Sequence, residues 1–195
     1  MDPRIARTRH SLQRALFDLL GTRDLEDVTI ADIVEHAGVN RSSFYQHYSD
    51  KDTLLADAID SALAGDGAAL PPLMELIETD AIAAIVAYLG HFEGNIDVYA
   101  RVFGPHGSLV AVARLQQHVQ GLAREGIESS RTQVFDGMPI DVAAAGIAGS
   151  VVAVVGAWIA MEPRPGLDVA AAWIWRVLLG PGAEQGGADP GCGSA

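Results

Sequence analysis

Two short apolar-periodic segments, separated by only three residues, constrain this chain more than any other feature. In residues 29–37, Ile30, Ile33, Val34 and Ala37 recur at helical spacing and give one apolar face. Thr29 and Asp32 stand at the capping-box spacing, with Asp in place of the usual Glu. Gly38-Val39-Asn40 follows. The glycine is able to take the left-handed conformation of a sharp turn. Asn40 is a good N-cap for a helix over 41–47. Two short helices joined by a three-residue turn containing Gly follow the helix-turn-helix plan.

The flanks complete a small helical unit. Leu12, Ala15, Leu16, Leu19 and Leu20 form one stripe and predict a helix over 4–20, stopped at Gly21. Ser49, with Asp52 at its third position, predicts a cap for a fourth helix over 49–64, whose apolar face is Leu55, Ala58, Ile59, Ala62 and Leu63. Residues 65–73 read as a linker. Helices are expected near 74–93, 96–103, 108–135, 140–161 and 167–179, separated by Gly104-Pro105, Gly137-Pro139 and Pro163-Pro165-Gly166. Residues 180–195 are Gly/Pro/Ala-rich and read as a disordered tail. The expected fold is all-α. A three-helix helix-turn-helix domain spans 1–50, helix 49–64 connects, and a helical ligand-binding and dimerisation domain spans 51–179.

Composition bounds the function. Hydrophobic residues make up 49% of the 195, enough for a core. The single cysteine, Cys192, cannot form an internal disulfide, and no Cys/His cluster has zinc spacing, so no metal or cofactor is expected. The N-terminus has no apolar signal core, which favours a cytoplasmic protein. The net charge of −12 argues against nucleic acid as a partner. Its distribution matters more. Residues 1–57 hold seven Lys/Arg against ten Asp/Glu, while the rest hold six against fifteen. Arg4, Arg7, Arg9 and Arg14 lie in a stretch without an acid, so DNA contact must come from a local basic face.

The run VTIADIVEHAGVNRSSFYQHYSDKDTLL, residues 28–55, closely resembles the DNA-binding domain of TetR/AcrR-family repressors. The resemblance covers residues 4–64, with capping, turn, aromatic and lysine positions in register. The residues themselves carry the chemistry. Val39, Phe44 and Tyr48 supply apolar anchors for the third helix, leaving Arg41, Ser42, Ser43, Tyr45 and Gln46 for DNA. Arg41 suits guanine O6 and N7, and Gln46 suits an adenine edge. The resemblance implies phosphate contacts for Thr29, Tyr45, His47 and Lys51, and Arg4 is expected to join them. Ala31 departs from the family, where a polar base reader is common. It offers a thymine methyl group only van der Waals contact, so sequence readout shifts to the third helix.

Beyond residue 64 the resemblance implies dimerisation through the last two helices and a small-molecule site. Gly149, Ala153 and Gly156, with Trp173 and Val177, are the expected dimer interface. Tyr88, His91, Phe92, Tyr99, Phe103, His118 and Trp158 are the expected lining of a pocket for an apolar or aromatic ligand. Val142–Met161 is a charge-free run of twenty residues, long enough to cross a bilayer. Its Ala, Gly and Ser content and the acidic Asp141 at its start favour a buried helix instead. No nucleophile, metal cluster or phosphate loop points to an enzyme. The expected partners are an operator in double-stranded DNA, a second copy of the chain, and that ligand. The expected function is sequence-specific repression released by the ligand.

Overall fold

The computed structural model describes residues 3–65, 80–129, 135 and 137–179. All regular elements among them are helical. α1 (Pro3–Leu20) buries Leu12, Ala15, Leu16 and Leu20, the expected stripe, against α2 (Ile30–Ala37) and α4 (Lys51–Gly65). A 3-10 turn, Leu25–Asp27, precedes α2. α3 is Arg41–Tyr45, shorter than the expected 41–47. The second half contains α5 (Ala81–Gly94), α6 (Ile96–Phe103), α7 (Leu109–Ser129), α8 (Ile140–Ile159) and α9 (Leu167–Leu179). α7 packs along both α4 and α8, while α9 packs on α5 and α8. One apolar core runs without a break from Leu12 and Phe44, through Leu54, Ile59 and Leu63 of α4, to Trp158 and Ile174.

Local chemistry sets the ends of these helices. Thr29 Oγ1 accepts from Asp32 N at 3.2 Å, and Asp32 Oδ2 accepts from Thr29 N at 2.8 Å, a complete capping box. Gly38 takes φ 66°, the left-handed conformation that favours glycine. Asn40 Oδ1 caps α3 by accepting from Ser43 N at 2.8 Å. The cap of α4 differs from expectation. Asp50, not Ser49, accepts from Thr53 N at 2.7 Å, and the Ser49 hydroxyl donates to Asp50 Oδ2 at 2.9 Å. An ionised carboxylate is the stronger acceptor at a helix N-terminus. α5 begins after Asp80, whose Oδ1 accepts from Ala83 N at 3.0 Å. The rest of the expected linker, residues 74–79, 130–134 and the tail 180–195 lie outside the described residues.

α8 is long and apolar enough to cross a membrane by length and composition. Here it is a core helix on one side: Ala144, Ala148, Val152, Val155 and Trp158 are buried. Its other side leaves Val142, Gly146, Ala153, Ala157 and Ala160 exposed at helical spacing. Gly156, expected at the dimer interface, faces inward. A Cβ there would lie 2.9 Å from the ring of Phe103, so the glycine admits α6 within the same chain. Gly149 is half-buried, and a Cβ would lie 3.8 Å from Gln116 of α7.

The capping box carries an acid dependence. Hydrogen bonds from the Thr29 side chain and backbone, then from Arg23, lower the Asp32 carboxyl from 3.8 to about 2. A lowered folded-state value means that this contribution is complete above 3.8 and is lost as pH falls through about 2. Asp32→Asn is expected to destabilise the protein at neutral pH and to flatten its stability profile across that acid window, read by urea unfolding at stepped pH. An unchanged profile would show that the box contributes nothing.

Candidate nucleic-acid interface

The turn and α3 sort side chains by burial. Phe44 is fully buried and Tyr48 nearly so, with ring centroids 5.9 Å apart, and Val39 packs against the same core. Arg41, Ser42, Tyr45 and Gln46 are exposed on one side of α3, and Thr29 and Ala31 are exposed at the start of α2. Arg41 lies over the Tyr45 ring, 5.7 Å from its centroid, and donates to the Tyr45 hydroxyl at 3.3 Å. The stack pre-orders a long cation beside a hydroxyl donor. Ser42 and Ser43 hydroxyls both donate to Asn40 Oδ1, at 2.7 and 2.9 Å. Ser43 is half-buried and serves the cap more than the surface. Arg4 is exposed near the start of α1.

Two cations stand elsewhere than expected. Lys51 turns inward. Its ammonium donates to the carbonyl oxygens of Leu25, of Val28 at 3.0 Å and of Glu26 at 3.3 Å. All three of its protons are taken up. In this state Lys51 therefore clamps the start of α4 to the turn before α2, instead of facing a phosphate. Arg9 bonds Asp57 at 2.6 Å, so it is not part of an open basic face. His47 is half-buried and lines a groove of about 610 Å³ between α1, α4 and α7. Sequence reasoning missed both engagements, because the partners are backbone carbonyls for Lys51 and a distant carboxylate for Arg9.

The aromatic residues expected around a ligand are largely core. Tyr88, His91, Phe92 and Tyr99 are buried, and the tilted rings of Phe92 and Tyr99 pack with centroids 4.5 Å apart. His91 Nε2 and the Tyr99 hydroxyl bond each other at 2.7 Å. Trp158 donates its indole N–H to Pro165 O at 2.8 Å and carries Arg164 over its ring, fastening the turn before α9. Phe103 is half-buried against Gly156. The Tyr88 hydroxyl and His118 Nε2 are buried without a hydrogen-bond partner. Burial raises the Tyr88 hydroxyl far above its ordinary range, so it stays protonated. Among the described residues, no three His, Cys, Asp or Glu are grouped to hold a metal ion.

Fold and surface together define a helix-turn-helix protein with a helical second half. Residues 14–58 match the family model of bacterial regulatory proteins, tetR family. Over 65 residues it is 38% identical to the uncharacterised HTH-type transcriptional regulator YxbF of Bacillus subtilis (strain 168). That match takes in 33% of this chain and only 17% of the relative. The fold resembles the dihydroxyacetone kinase operon activator DhaS, with 14% identity, 88% of this chain and 94% of that one covered, and a TM-score of 0.60. It also resembles Thermus thermophilus FadR, a TetR-family repressor in complex with lauroyl-CoA. There the identity is 20%, the coverage 94% and 99%, and the TM-score 0.56.

The Lys51 clamp has a measurable consequence. Lys51→Met is expected to cost about 1.5–3 kcal/mol of unfolding free energy, the range for hydrogen bonds to a charged group. Urea denaturation without DNA reads this directly. A lysine serving only a phosphate leaves stability in the absence of DNA unchanged.

Proposed function

We propose that the chain is a cytoplasmic, homodimeric, one-component repressor that reads a pseudo-palindromic operator and leaves it when a small molecule binds the second half. The observation that carries the reading is the outward row of α3: Arg41, Ser42, Tyr45 and Gln46, exposed on a helix whose opposite side is locked into the core. Arg41 and Gln46 read base edges, while Tyr45, the α2 N-terminus at Thr29 and the flanking Arg4 and His47 meet phosphates. Ala31 contributes only an apolar contact. In a selection on random DNA, the wild type is expected to yield a two-fold motif with half-sites one DNA turn apart, about 34–36 Å. Arg41→Ala is expected to cost about 1–3 kcal/mol on that site and to relax one or two positions. Equal losses on specific and random DNA defeat the assignment.

One helix-turn-helix reads few base pairs, so two copies are needed. The exposed stripe Val142, Gly146, Ala153, Ala157 and Ala160 on α8, with Val169 and Val177 on α9, supports a dimer surface there, with the half-buried Gly149 and Trp173 at its edge. Small residues let two helices approach closely, and this stripe holds no charge. Ala153→Glu is expected to yield monomers or aggregates that bind operator poorly, as read by sizing and by DNA titration. A normal dimer of this variant moves the interface elsewhere.

A ligand site within α5–α7 is supported by the two orphaned groups, the Tyr88 hydroxyl and His118 Nε2. A buried polar group without a partner costs about 1–3 kcal/mol, which a polar atom of a ligand recovers. The apolar walls come from Phe92, Phe103 and their neighbours. That FadR of similar fold holds lauroyl-CoA supports an apolar ligand.

A further inference from the structure

One carboxylate holds the recognition helix to the rest of the molecule. Asp57, on α4, accepts from Arg9 Nη2 at 2.6 Å through Oδ1 and from Gln13 Nε2 at 2.7 Å through Oδ2, both from α1. The Tyr48 hydroxyl, three residues past the end of α3, donates to the same Oδ2. Arg9 Nε reaches the Tyr48 oxygen at 3.4 Å and closes the ring of contacts. Gln13 Nε2 also donates to Ser61 Oγ at 2.9 Å, one turn farther along α4. Three side chains, two from α1 and one from the segment after α3, thus converge on the two oxygens of Asp57.

The chemistry admits little substitution. Every partner of Asp57 is a donor, and an ionised carboxylate accepts through both oxygens. Burial alone raises this carboxyl, yet the bonds from Arg9, Tyr48 and Gln13 outweigh it and the carboxyl ends below its ordinary value. Tyr48, pushed up to about 12 chiefly by burial, keeps its proton and always donates. Asparagine in place of the aspartate turns an amide against one of the donors.

Geometry makes the ring matter for α3. The helix has five residues, and its only fully buried side chain is Phe44. An apolar anchor resists removal but is non-directional, so it leaves rotation about its own axis weakly fixed. The Tyr48 hydroxyl supplies a direction. We propose that Asp57 is the positioning residue of the recognition helix: through Tyr48 it sets the pose of α3 against α1, so sequence-specific affinity depends on a carboxylate that never reaches DNA. The inference rests on the DNA-binding reading above.

The test uses the full chain with Tyr48→Phe and Asp57→Asn. Each is expected to lower affinity for the selected site about tenfold or more. Affinity for random DNA at the same salt, set by charge, changes by less than about twofold. Without DNA, amides of residues 41–48 are expected to exchange about tenfold faster in Tyr48→Phe, with those of α2 unchanged. Equal losses on both DNAs overturn the proposal and leave a general structural role. Unaltered exchange over 41–48 overturns it as well. A wild type that selects no motif removes the DNA-binding reading instead, and the exchange measurement, which needs no DNA, still judges whether Asp57 positions the helix.

Discussion

α3 spans Arg41–Tyr45, little more than one turn, and a helix that short has no stability of its own in water. Its conformation is imposed from outside at four points. Gly38 reverses the chain in the left-handed region, and the Asn40 side chain accepts from the N–H of Ser43. Phe44 enters the core, and Tyr48 fastens the exit. Arg41, Tyr45 and Gln46 stay open to solvent because none of them takes part in this support, while Ser42, also exposed, donates to the Asn40 cap. Support and display are thus largely carried by different side chains.

α4 carries that support into the second half. Polar contacts accompany the shared core across the junction. Arg101 pairs with Asp24 at 3.1 Å, His106 with Glu26 at 3.4 Å, Arg114 with Asp60 at 2.5 Å, and the Ser108 hydroxyl donates to Asp52. The end of α6 and the turn after it therefore grip the same 3-10 turn that Lys51 holds from α4. Exposed pairs of this kind are worth about 0–1 kcal/mol each. A junction built from several weak bonds repacks at low cost.

Much of this was legible in the sequence because it depends on local signals. The α1 stripe, the Thr29–Asp32 box, Gly38 and Asn40 act within a few residues of themselves, and the helices they predict are present. What failed depended on tertiary partners. Ser49 and Asp50 are adjacent candidates for one cap, and only the geometry of the entering chain chooses the carboxylate. Gly156 has the composition of an interhelix contact, but the pattern does not say whether the approaching helix belongs to the same chain. Lys51 and Arg9 were read as free cations because backbone carbonyls and a carboxylate 48 positions away leave no trace at short spacing.

Charge completes the picture. The chain carries a net charge of −12, and many of its arginines are occupied. Arg9, Arg23, Arg101, Arg114 and Arg124 all pair with acids. Arg41 is different: its contact is the face and hydroxyl of Tyr45, which leaves its charge uncancelled. Non-specific affinity scales with the number of phosphates neutralised, at about 0.9 in salt slope for each. A surface with few uncancelled cations therefore gains little from random DNA. On the proposed DNA reading, what it gains comes from contacts at Arg41, Tyr45 and Gln46, which act only at short range and in correct register. On that reading the acidic body weakens attraction to any duplex, and discrimination rests on how accurately α3 is held.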